Sequence, residues 1–85
     1  MKIKHETPCE LMARLIKLLE QEIENKKRRI GKLMERLNKL KSQPNPDKTQ
    51  IRKIRADIKE LKDQLETDLL QLDAFKKEFK ASCGS

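Results

Sequence analysis

Few side chains in this sequence could do chemistry: two cysteines, Cys9 and Cys83, a single histidine, His5, and many amines and carboxylates. Two thiols can form a disulfide, and with enough further ligands they can hold a metal ion. His5 stands four residues before Cys9. With Cys83 the set reaches three ligands, one short of a structural zinc site, so no metal or other cofactor is expected. The two glycines, Gly31 and Gly84, are too far apart to build a phosphate-cradling loop. No Ser/His/Asp set and no carboxylate pair with pocket-forming surroundings is present. Catalysis is not expected, and the cysteines matter only if the intervening chain brings them together.

That chain carries two seven-residue repeats. Cys9, Met12, Ile16, Leu19, Ile23, Lys26, Ile30, Leu33, Leu37 and Leu40 follow alternating steps of three and four. Ile51, Ile54, Ile58, Leu61, Leu65, Asp68, Leu72, Phe75, Phe79 and Ser82 do the same after Ser42-Gln43-Pro44-Asn45-Pro46-Asp47. This spacing is the seam of a coiled coil. Composition agrees: 41% of the 85 residues are charged and 35% hydrophobic, with no Trp, Tyr or Val and only two Phe. Long solvated helices have such a composition and sheets do not. Unbroken heptads argue against disorder despite the charge.

Thr7-Pro8-Cys9-Glu10 reads as a helix start. Thr7 can accept from the Glu10 backbone N–H, and Pro8 fills the first helical position, where its missing N–H costs nothing. Pro44 disfavours helical geometry at Gln43. Asn45-Pro46 reads as the next cap and first helical residue. The expected organisation is a disordered tail over 1–6, one domain over 7–82 with helices 7–42 and 46–81 around a turn at 43–46, and a tail over 83–85. So short a turn makes the helices antiparallel neighbours. The fold class is therefore all-α, an intramolecular antiparallel coiled coil, with dimerisation into a four-helix bundle as a further expectation.

Antiparallel layering sets Leu40 against Ile51, Leu37 against Ile54, Leu33 against Ile58 and Ile30 against Leu61. At the open end Met12 meets Phe79 and Cys9 lies opposite Ser82. Cys83 is thereby a candidate disulfide partner for Cys9, within the roughly 5.5–6 Å between Cα atoms that the bond requires. Two free thiols are the alternative, since reducing compartments keep thiols unpaired. Lys26 and Asp68 are the only charged seam residues, in adjacent layers of opposite helices. They either pair or reach separately to solvent. Replacing Asp68 with Leu is expected to leave stability unchanged or to raise it.

Leu11, Leu15 and Leu18 lie off the seam but three and four residues apart, and Leu69 and Leu70 add apolar surface on the second helix. A two-helix hairpin buries each helix on one side only, so spare leucines point to a protein contact, with a second copy or with another helical protein. Charge is uneven as well. From Lys26 to Lys62 there are fourteen Lys and Arg against four acids, net +10; the rest carries seven against ten, net −3. Lys27, Arg28, Arg29, Arg52, Lys53 and Arg55 form the densest runs, able to neutralise nucleic-acid phosphates or simply to stay solvated. No aromatic residue in this half could stack on bases. No apolar run approaches the roughly 18–20 residues of a membrane span, and the first residues lack a signal-peptide core, so membrane contact is not expected and a cytoplasmic setting is. Function is expected to be non-enzymatic protein–protein interaction or a structural role, with nucleic-acid association through the basic half as the alternative.

Overall fold

The computed structural model describes residues 6–84, which form two helices and no strand. Helix α1 spans Pro8–Lys41 and α2 spans Lys48–Ser82. They lie side by side as an antiparallel hairpin with a long axis of 62 Å. His5 and the rest of the segment 1–5 lie outside the described residues, as does Ser85. Glu6 was expected in a disordered tail, yet both its carboxylate oxygens accept from Arg14 Nε at 3.0 Å. That exposed charge-assisted contact holds the residue against the first turns of α1.

Capping chemistry sets the helix ends. Thr7 Oγ1 accepts from the Glu10 backbone N–H at 3.1 Å, and its hydroxyl donates to the Glu10 carboxylate. Pro8 sits at the start of the helix. At the other end Ser42 closes α1, its N–H and hydroxyl both donating to Asn38 O. The start of α2 differs from expectation. Its cap is Asp47, not Asn45, and Asp47 Oδ1 accepts from the Thr49 and Gln50 N–H groups at 3.0 and 3.2 Å. An Asn45 cap would place Lys48 at the third helical position. Asp47 instead places Gln50 there, whose backbone N–H the Asp47 carboxylate satisfies. Pro46 and Ile51, both half-buried, then occupy the two positions of a hydrophobic staple.

Between the caps, the heptad seam decides burial. Within α1 the residues buried or half-buried are Cys9, Met12, Ile16, Leu19, Ile23, Lys26, Ile30, Leu33, Leu37 and Leu40, and no others. Helix α2 follows its own repeat from Ile51 to Phe79, but Ser82 at the final seam position is exposed and Cys83 is half-buried in its place. The shift has a covalent cause. Cys9 and Cys83 are joined by a disulfide with their Cα atoms 5.8 Å apart. Residue 83 is therefore tied into the fold and does not belong to a tail.

The buried side chains that meet across the two helices gather in the half of the rod toward the turn. Ile30, Ile54, Ile58 and Leu61 form the buried cluster, with Leu33, Leu37, Leu40 and Leu65 against it. Toward the open end only Ile23 is buried, and Met12, Ile16, Leu19, Leu72, Phe75 and Phe79 are half-exposed. Gly31 lies on the outside of α1, with nothing within 4 Å of where a Cβ would stand. Gly31→Ala should therefore stabilise the hairpin by about 0.5–1 kcal/mol through helix propensity alone. A urea midpoint that falls would show that the bare backbone at this position is used structurally.

One polar layer interrupts the seam. Lys26 Nζ donates to Asp68 Oδ2, and the two side chains are only 12% and 15% exposed. This pairing revises the expectation for Asp68→Leu. Removing the carboxylate leaves an ammonium at a mostly buried position, although the lysine stem lets it lean toward water. The single variant should lose about 1–2 kcal/mol, less than the roughly 3–5 kcal/mol of a fully enclosed pair. The double variant Lys26→Leu, Asp68→Leu should recover wild-type stability or exceed it, because apolar packing replaces two desolvated charges. Denaturant titration of the three proteins tests this. Wild-type stability in the single variant would mean that Lys26 does not need its partner.

Candidate interaction surfaces

In an antiparallel pair, seam-flanking positions of one helix meet like positions of the other, which gives the rod two distinct sides. On one side, Ala13, Glu20, Lys27, Met34 and Lys41 of α1 run beside Lys48, Arg55, Lys62, Leu69 and Lys76 of α2. The Glu20–Lys76 ion pair at 4.0 Å bridges the helices there. On the other side, Leu15, Glu22, Arg29 and Arg36 run beside Gln50, Asp57, Gln64, Gln71 and Glu78. A shallow groove lined by Arg29, Lys32, Leu33, Asp57, Glu60, Leu61 and Gln64 marks that side. The first is called the basic side and the second the mixed side.

The spare leucines do not gather on one surface. Leu15 stands two heptads from Arg29 and therefore on the mixed side, flanked by Leu11 and Leu18 one step further around α1. Their exposures of 41%, 41% and 50% put all three outside the seam. Leu69 stands one heptad from Lys76 on the basic side, 45% exposed, and Leu70 points straight outward at 69%. The two leucine groups also differ in height, since the seam pairing sets Leu69 and Leu70 beside residues near Glu22 and not beside Leu15. The apolar stripe is thus Leu11, Leu15 and Leu18 alone.

The basic runs divide in the same way. Lys27, Arg52 and Arg55 lie on the basic side, Arg29 and Lys53 on the mixed side, and Arg28 points outward toward Asn25, whose Oδ1 accepts from it at 2.7 Å. Picking out the densest runs along the chain conceals this split, and it also leaves out Lys41, Lys48, Lys59 and Lys62, which share the basic side. The missed signal was heptad position. Met34, 46% exposed, is the large apolar residue among these cations.

Among the described residues no three His, Cys, Asp or Glu side chains are placed to hold a metal ion. Neither described helix is long and apolar enough to cross a membrane. The molecule is thus defined by its outer faces: a helical hairpin with an apolar stripe at one end and unevenly distributed cations at the other. Neither a protein-family model, nor a curated protein, nor a solved structure matches the chain.

Proposed function

We propose that this protein is a non-enzymatic interaction module that docks on another protein through Leu11, Leu15 and Leu18. The observation that carries the reading is the placement of three half-exposed leucines at i, i+4 and i+7 on α1, outside a seam that is already complete without them. That spacing is the anchor pattern by which an amphipathic helix enters an apolar groove.

Magnitudes favour a groove over a second copy. Completing the burial of a half-exposed leucine is worth about 1 kcal/mol, from roughly 1.5–3 kcal/mol for the whole side chain. Six leucines across a twofold axis at Leu15 then supply about 6 kcal/mol, which barely meets the roughly 4–15 kcal/mol cost of association. A self-dimer on this stripe is therefore weak, and a stable complex needs a partner that encloses the leucines and adds contacts around them.

Sedimentation at tens of micromolar should accordingly give a monomer; a tight dimer would overturn the heterologous reading in favour of self-association. The triple variant Leu11→Gln, Leu15→Gln, Leu18→Gln should melt within a few degrees of wild type, since each side chain is already open to solvent. It should also lose photo-crosslinked partner formed from a probe placed at Glu22. A large loss of stability would instead make these leucines part of the core and end the proposal.

A further inference from the structure

We infer that the basic side of the turn half is a binding face for the phosphate backbone of duplex nucleic acid, independent of the leucine stripe. Lys48, Arg52, Arg55, Lys59 and Lys62 follow steps of four, three, four and three, the rhythm of the seam, so they form one line along α2. The line is about 21 Å long at 1.5 Å per residue. All five residues are exposed, and none takes part in an ion pair among the described residues. Lys41 and Lys27 of α1 continue the face across the seam, Lys27 with Glu24 at 3.7 Å.

The acids of this half lie elsewhere. Asp57 and Glu60 line the groove on the mixed side, Glu35 occupies an outward heptad position, and Asp47 is engaged as the α2 cap. Like charges three and four residues apart repel one another on a helix, so the line contributes nothing to the fold. Solubility is served better by interspersed signs, the pattern of the mixed side. Gly31 leaves open space on the α1 part of the basic side, which lets an extended polymer come close to the helix.

Ligand chemistry follows from what accompanies the cations. Met34 is the large apolar side chain among them, too little to anchor the face in a bilayer. Both aromatic residues, Phe75 and Phe79, belong to the seam at the other end of the rod, so no platform exists for stacking the bases of a single strand. A duplex presents one negative charge per 1.7 Å of axis, hence about twelve phosphates over 21 Å. About half of these face one side, in keeping with five to seven cations. Contact confined to phosphates makes binding independent of base sequence.

The test is fluorescence anisotropy with labelled 20-base-pair DNA and RNA duplexes between 50 and 200 mM salt. Affinity should fall about a thousandfold over that range, with a log–log slope near −5 from −0.9 per neutralised phosphate. Two variants lose equal charge: Lys48, Arg52, Arg55, Lys59 and Lys62 each changed to Gln, and Arg29, Lys32, Arg36, Lys39 and Lys53 each changed to Gln. Circular dichroism checks that both remain helical. The first set should lose at least a hundredfold in affinity at 50 mM salt and most of the salt slope; the second should lose less than tenfold. Preference for the DNA or the RNA duplex identifies the source of the phosphates. Equal losses in both sets would reduce the effect to net charge and overturn the assignment. So would absence of binding at 50 mM salt, or tighter binding to single strands, polyglutamate or phosphatidylserine vesicles.

Discussion

Reducing the Cys9–Cys83 bond, or replacing both cysteines with Ser, should lower the stability of the hairpin by about 4 kcal/mol. The residues are 74 apart in sequence. In the chain-entropy model a loop of that length restricts the unfolded state by between the roughly 3 kcal/mol of a 15-residue loop and the 4.7 kcal/mol of a 100-residue one. For a domain this size each kcal/mol moves the melting temperature by about 4–8 °C, so the midpoint should drop by about 15–30 °C. The loss should not be uniform. The buried cluster of Ile30, Ile54, Ile58 and Leu61 lies toward the turn, while beyond Ile23 the layers toward the open end are only half-buried. Hydrogen exchange in the reduced protein should therefore rise first in residues flanking Met12 and Phe79, with protection retained around Ile54. Equal melting temperatures with and without reductant would show that the bond adds nothing to a hairpin already closed by its seam.

The second large effect is expected at the opposite end. Ile54→Ala should cost about 2–4 kcal/mol, the range for removing a buried aliphatic side chain that its neighbours cannot fully replace. Ile54 is among the most buried residues of α2 and belongs to the only cluster where side chains of both helices are excluded from water among the described residues. A two-helix layer has no third element to collapse into the space, which keeps the cost from relaxing away. Leu70→Ala, at a side chain that touches mostly solvent, should stay within about 0.5 kcal/mol and serves as the control. Urea midpoints of both variants, measured with the disulfide intact, check the pair. Similar costs at the two sites would mean that burial is not concentrated near the turn.

Much of this architecture is legible in the chain because a seven-residue repeat ties side-chain identity to direction. Each position from Cys9 to Leu40 on the repeat is withdrawn from solvent, and the repeat also brings Lys26 within reach of Asp68. Where the repeat ends, local chemistry takes over and is harder to read. Asp47 displaces Asn45 as a cap because its carboxylate accepts from two free N–H groups of the first turn, a match that the more prominent proline pair obscures. Cys83 displaces Ser82 at the last layer because the disulfide draws it toward Cys9, while the polar hydroxyl of Ser82 gains nothing from burial. The surfaces were least legible. Five leucines and six basic residues look like two groups by type, but heptad phase distributes each over both sides of the rod. Residue type announces that a patch exists; only angular position around the helices says which members can touch one ligand.

The sulfur bridge also decides how the rod carries a mechanical load. With Cys9 bonded to Cys83, tension between the segment before Cys9 and the segment after Cys83 passes through the bond and bypasses both helices. With the thiols free, the same tension would open the hairpin layer by layer from Met12 and Phe79 toward the turn, each step resisted by a single layer of side chains. One pair of sulfur atoms thus separates a hairpin whose two ends stay together under load from one whose ends part as the layers open.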